Sequence, residues 1–157
     1  MMTSTATPAD NTNTFPLDFC LRLARAHAVM IRRFDNTLGN LHGISFSDFQ
    51  LLHHLHHAPG ARLRRVDLAE RLGLTASGVT RSLLPLEKIG LIARQPDPRD
   101  ARVGYAVVTP AGQEILANAL NTAQMIAQEL LKDSTTARLD TFSTLLAQMA
   151  GLNLSNS

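Results

Sequence analysis

The sequence predicts a mostly α fold with one small β-hairpin, and three observations carry that prediction. Apolar residues recur at helical spacing over most of the 157 residues. Gly73 and Thr75 separate two short apolar-periodic segments, the pattern of two helices joined by a tight turn. The polar, basic loop PDPRDAR then divides two short β-prone segments. A helix-turn-helix followed by a hairpin that stands clear of the body is a winged helix-turn-helix.

The elements follow in order. Residues 1–14 are rich in Thr and Asn and read as a disordered tail. One domain is expected over 15–152. Its first helix covers about 17–38, with a dry stripe of Cys20, Leu23, Ala24, His27, Met30, Ile31, Phe34 and Leu38. Gly39 and Gly43 mark a break. Ser45 or Ser47 caps a second helix, which turns Phe49, Leu52 and Leu55 inward and ends at Pro59-Gly60. A short third helix runs from about Arg65 to Leu72, without a good capping side chain at Arg64. Thr75 caps a fourth, which runs to about Lys88 with Pro85 inside it. Leu91 to Gln95 and Gly104 to Val108 form the two strands of the hairpin. Thr109-Pro110 opens a fifth helix, with Thr as cap and Pro in the first turn. Asp133-Ser134 interrupts, and a sixth helix carries Leu139, Phe142, Leu145, Leu146 and Met149. The winged unit thus spans about 45–109, between helical segments at about 17–38 and 110–150.

Composition bounds the function. Apolar residues make up 45% and charged residues 18%, ordinary values for a globular protein. The single cysteine, Cys20, excludes an intrachain disulfide and a cysteine-based zinc finger. No secretory signal and no apolar run of membrane-spanning length is visible, so a cytoplasmic location without membrane partners is expected. The net charge is +2 and is unevenly placed. Between Arg62 and Arg102 stand nine Lys/Arg against five Asp/Glu, so the basic excess belongs to the winged unit. Arg supplies 13 of the 15 basic residues, and its planar fork suits phosphate and guanine edges. Paired carboxylates, a nucleophile–base set and a phosphate loop are all missing, so neither an enzyme nor a cofactor is expected.

These features point to double-stranded DNA. The fourth helix would present Thr75, Ser77, Gly78, Thr80 and Arg81 near its N-terminus. Small residues there permit close approach, and the free N–H groups favour phosphate. Ser77, Thr80 and Arg81 would read the major groove, while Arg64 and Arg65 would contact phosphates. The loop carries Arg99 and Arg102, with Arg94 at its base. Such a loop can place Arg in a narrow minor groove, and Asp100 can orient Arg102 through a charge-assisted bond. The alternative for this segment is a winged helix that contacts proteins and no DNA.

The chain resembles the MarR family of winged-helix transcription regulators. The resemblance rests on DPRDAR followed by VVTPAG, with Asp100 and Arg102 at the paired wing positions and Thr109 and Gly112 at the start of the next helix. LAERLGLTASGVTRSLLPLEKIGLIAR matches the recognition region. The order of elements agrees over about residues 17–150. Arg64 at a helix start, Val108 in place of the usual Leu, and Leu84-Pro85 are departures. The resemblance implies a homodimer built through the first, fifth and sixth helices. It also implies a pseudo-palindromic operator, repression as the usual outcome, and release by a small-molecule effector, aromatic ones included. His27 and His42 are candidates for the effector pocket that the family often has between dimer helices and winged helix.

Two further features carry alternatives. Cys20 lies about where some members of the family sense peroxide. The tyrosines that usually accompany that cysteine are missing, and a buried, inert cysteine is the favoured reading. The run His53-His54-Leu55-His56-His57 places His53 and His57 four apart, at chelating spacing. Two histidines without a carboxylate or thiol make a thin site, so no metal is assigned. A solvated histidine face is expected, with His56 in a packing role.

Overall fold

A computed structural model describes residues 14–100 and 102–151. All but the last residue of the expected tail over 1–14 lies outside them. The chain runs α1 (Phe15–His42), α2 (Phe46–His57), a 3-10 turn (Pro59–Ala61), β1 (Arg62–Arg64), α3 (Arg65–Leu72), α4 (Ala76–Lys88), β2 (Ile92–Pro96), β3 (Gly104–Val108), α5 (Pro110–Leu130) and α6 (Thr136–Met149). The expected winged helix-turn-helix is present, with helices on both sides of it.

Helix α1 is longer than its periodicity suggested. It passes through Gly39 and stops at His42, where Gly43 adopts φ 69° and returns its N–H to the Gly39 carbonyl. A glycine inside a helix costs only about 1 kcal/mol. The residue that turns left-handed, not the first glycine met, sets the end. Of the two serines proposed as cap, Ser45 serves. Its Oγ accepts from the Asp48 N–H at 3.0 Å, and Asp48 accepts the Ser45 N–H at 2.9 Å, a reciprocal capping box. Asp35 of α1 accepts the Phe46 N–H at 2.8 Å and ties α1 to the start of α2.

Helix α2 is central. Leu51, Leu52 and Leu55 are fully buried, and the helix touches α1, α3, α4, α5, β1 and β3. The sheet has three strands in the order β1-β3-β2, antiparallel throughout. Strand β1 was not foreseen, since Arg-Leu-Arg is too short to display an alternating pattern. Only pairing with β3 makes it a strand. Leu63 and Ala106 face the core, while Arg62, Arg64 and Tyr105 share the other face.

The junction of wing and α5 is built from Thr109 and Gly112. The Thr109 hydroxyl donates to the Gly90 carbonyl and accepts the Gly112 N–H. The Thr109 N–H bonds to Leu91 O at 3.1 Å. A Cβ on Gly112 would lie 2.2 Å from that same Leu91 oxygen, so only glycine fits.

Of the flanking helices, α5 packs into the core, whereas the apolar stripes of α1 and α6 stay largely open in the single chain. In α1 only Phe34 and Leu38 of the stripe are buried. Phe15, Leu17 and Leu21 are about three-fifths exposed. No residue of α6 is buried, and Phe142, Leu146 and Met149 remain nearly half exposed. Within one chain these helices have too little surface to pack against. Cys20, expected to be buried, is exposed in the single chain as well.

Candidate nucleic-acid interface

The turn between α3 and α4 is set by Gly73 at φ 64°. Leu74 N–H reaches the Ala69 carbonyl at 2.9 Å, and Ala69 itself is buried between the helices. Thr75 caps α4 by accepting the Gly78 N–H at 3.1 Å, and its oxygen also lies 3.2 Å from Ser77 Oγ. A Cβ on Gly78 would stand 3.2 Å from the Thr75 oxygen, so the small residue keeps the cap close. Ala76, Ser77 and Arg81 are exposed on the first turns. Thr80 is half-buried, and its hydroxyl donates back to Ala76 O at 3.2 Å. Its hydrogen is therefore committed within the helix, and only its acceptor capacity faces outward.

The wing is folded by two successive aspartate turns. Asp97 Oδ1 accepts the Arg99 N–H at 2.9 Å, and Asp100 Oδ1 accepts the Arg102 N–H at 3.0 Å. Each is the local side-chain-to-backbone turn for which Asp is suited. The Asp97 N–H closes the loop onto Val103 O at 2.9 Å. Arg102 Nε lies 3.6 Å from Asp100 Oδ1, with the Arg102 side chain 94% exposed. Asp100 thus shapes the backbone under Arg102 and offers its guanidinium an ion pair.

Asp97 and Tyr105 were missed as site residues. The Tyr105 hydroxyl donates to Asp97 Oδ2 at 3.3 Å. The Arg62 guanidinium lies 4.3 Å from the Tyr105 ring centroid and that of Arg64 lies 5.7 Å away. The Arg99 N–H bond, the Tyr105 hydroxyl and the charges of Arg64 and Arg99 hold the Asp97 carboxyl below its ordinary range. Arg64 is exposed at the end of β1. Arg65 is half-buried and lines a small recess with Glu87, Arg94 and Tyr105. The two adjacent arginines therefore occupy different surroundings.

The other candidates lie apart. A mainly apolar cavity of about 790 Å³ opens between α1, α5 and α6, lined by Cys20, His27, Met30, Phe34, Phe46 and Met149 among others. His27 is part of it. His42 is not among its lining residues and instead hydrogen-bonds Thr122 of α5 at 2.8 Å. On α2 the packing histidine is His53, not His56, which is exposed. His53 stacks on Phe49 at 5.8 Å between centroids and lies against the tilted ring of His57 at 4.3 Å. His57 Nδ1–H donates to His53 O at 2.9 Å. Burial, then the neighbouring His57, lowers the His53 pKa; burial, then Arg71, lowers that of His54. Among the described residues no group of three or more His, Cys, Asp or Glu is placed to hold a metal.

Comparison with known proteins decides the family. Residues 42–103 match the MarR family. The HTH-type transcriptional regulator YxaD of Bacillus subtilis is 30% identical over 122 residues, covering 78% of this chain and 82% of that protein. The chain belongs to the MarR family. As a MarR-family protein it is a transcription regulator and not an enzyme. The regulator YdgJ of the same organism is 28% identical over 114 residues, 73% of this chain and 68% of its own. Among solved structures, a single-site mutant of Escherichia coli MarR complexed with operator DNA superposes with a TM-score of 0.73 at 25% identity, over 90% of this chain and 99% of that one. Sco3205 of Streptomyces coelicolor, in complex with DNA, shares the fold with a TM-score of 0.81 at 24% identity, over 98% and 96% of the two chains. No helix among the described residues is long and apolar enough to cross a membrane.

Proposed function

We propose that this MarR-family regulator is a cytoplasmic, homodimeric repressor that binds a pseudo-palindromic DNA operator and is released by a small apolar effector. The observation that carries the DNA reading is the joint placement of an exposed α4 N-terminus and a basic wing on one winged unit. Ser77, Thr80 as acceptor, and Arg81 read the major groove, with Thr75 and Gly78 holding the helix end open to phosphate. Arg99 and Arg102 enter the minor groove, with Asp100 shaping the loop. Arg64 and Arg65 face phosphates. The operator-DNA complex of E. coli MarR and the DNA complex of Sco3205 support this arrangement.

The dimer reading rests on the unburied faces of α1 and α6. Fully burying one large apolar side chain is worth about 1.5–3 kcal/mol. Phe15, Leu17, Leu21, Phe142, Leu146 and Met149 together give a second copy ample reason to cover them. The effector reading rests on the apolar cavity with His27 on its wall. Its size falls in the range of small-molecule sites, and it lies among the helices that would set the spacing of two reading heads. A ligand there releases DNA only if it prefers the released spacing. Cys20 in that same wall favours a second reading, in which an oxidant is the signal.

A gel-shift salt series on the DNA upstream of the chain's own gene tests the proposal. Binding should be tight at low salt and weaken steeply as salt rises. No binding to any fragment at low salt would leave the protein-contact alternative in its place. For the oxidant reading, Cys20→Ser should abolish release by peroxide, and release that persists in this variant rules Cys20 out.

A further inference from the structure

We propose that Tyr105 is a positioning residue of the DNA-reading surface, which fixes Arg64 and Arg62 from one strand and the Asp97 turn of the wing on a single ring. This rests on the DNA-binding reading above.

The register places Tyr105 at a junction. It pairs with Arg64 of β1 on one side and Gln95 of β2 on the other, one row before the sheet ends at Pro96 and Gly104. Arg62 stands two residues back from Arg64 and so shares its face. Both guanidiniums lie over the Tyr105 ring, at 4.3 Å and 5.7 Å. The phenol then reaches in the other direction, to Asp97 Oδ2 at 3.3 Å. The second Asp97 oxygen holds the Arg99 backbone N–H at 2.9 Å. A continuous path of contacts therefore leads from the β1 arginines, through one aromatic side chain, to the wing residue proposed for the minor groove.

The physical consequence is preorganisation. A free surface arginine loses much rotamer freedom when it takes a phosphate. A guanidinium already resting on an aromatic face has lost part of that freedom before DNA arrives, and it keeps its N–H groups for an anion. The Tyr105–Asp97 bond likewise fixes the base of the wing. The ring carries both arginines, while the hydroxyl serves the wing through Asp97 and also bonds to Arg64, so Tyr105→Phe keeps the platform and removes the bonds.

The test uses the full chain and a duplex selected by the wild-type protein from a random-sequence pool, with affinity measured from about 50 to 200 mM salt. Tyr105→Val removes ring and hydroxyl. It should weaken binding about 10-fold and reduce the salt slope by about one phosphate contact. Arg64→Ala should then cost almost nothing further in the Tyr105→Val background, although it is costly alone. Tyr105→Phe should keep the salt slope yet lose affinity, and Asp97→Asn should add little to that loss. A structural role would lower the unfolding midpoint without making these pairs non-additive. If wild-type protein binds steeply while Tyr105→Val keeps the wild-type slope and the full cost of Arg64→Ala, the proposal is overturned and the DNA reading stands. If wild-type protein binds no duplex, both fall. Should Tyr105→Val fail to fold, the Tyr105→Phe and Asp97→Asn pair decides alone, and additive losses overturn the proposal.

Discussion

At Gly112 a single hydrogen atom decides whether the wing can join α5. A Cβ there would overlap the Leu91 carbonyl. Gly112→Ala should destabilise the fold by about 3 kcal/mol, although alanine is the better helix former. A urea unfolding curve checks this, and an unchanged midpoint would mean that the backbone yields freely. Arg102 makes the opposite case. Its side chain is almost wholly exposed, so Arg102→Ala should leave the unfolding curve alone. The same change should cost about 1–3 kcal/mol of DNA affinity if the contact is specific, as read from a binding isotherm. Asp100 was legible because its neighbours along the chain define its setting, and Gly112 because the resemblance to the family places a glycine there, although the Leu91 carbonyl that requires it lies far away in the sequence. Tyr105 and Asp97 were not, because a cross-strand pairing and a loop closure bring them together. Thr80 was read as facing outward, and helix geometry returned its hydroxyl hydrogen to Ala76 O.

Elements were legible where a cap or a left-handed glycine announces itself. Ser45, Thr75 and Thr109 start their helices as their chemistry requires. Ser45→Ala should cost about 1 kcal/mol through loss of the capping box, measured by thermal unfolding. The end of α1 was misplaced because Gly39 and Gly43 look alike until the backbone assigns φ. Strand β1 was missed because three residues carry no period. The C-terminal turns of α2 carry a pH dependence. His53 and His54 are held below the ordinary 6.5, each mainly by burial. The unfolded chain therefore binds protons that the folded chain refuses. Their contribution to stability is intact above 6.5 and is lost as pH falls through it towards the lower folded values. The urea midpoint should drop between about pH 7 and pH 5.5. Replacing both His53 and His54 by Gln should flatten that drop, and an equally steep fall in the double variant would place the effect elsewhere.

At the scale of the molecule, one chain looks incomplete. Its winged unit has a closed core built on α2, whereas α6 buries nothing and the N-terminal half of α1 buries little. The periodic stripes on these helices were visible in the sequence. What covers them was not, since a stripe looks the same whether its partner is intrachain or a second copy. Leu146→Asp should convert a dimer to monomers in sedimentation velocity and weaken operator binding with it. A variant that remains dimeric would move the interface away from α6.

Two winged units acting together on one operator should leave a paired footprint. Hydroxyl-radical cleavage of the selected duplex reads this out. Two protected patches related by a dyad should appear, their centres about 10 bp apart, with additional minor-groove protection where Arg99 and Arg102 of each wing enter. A single unpaired patch, or protection without symmetry, would contradict it.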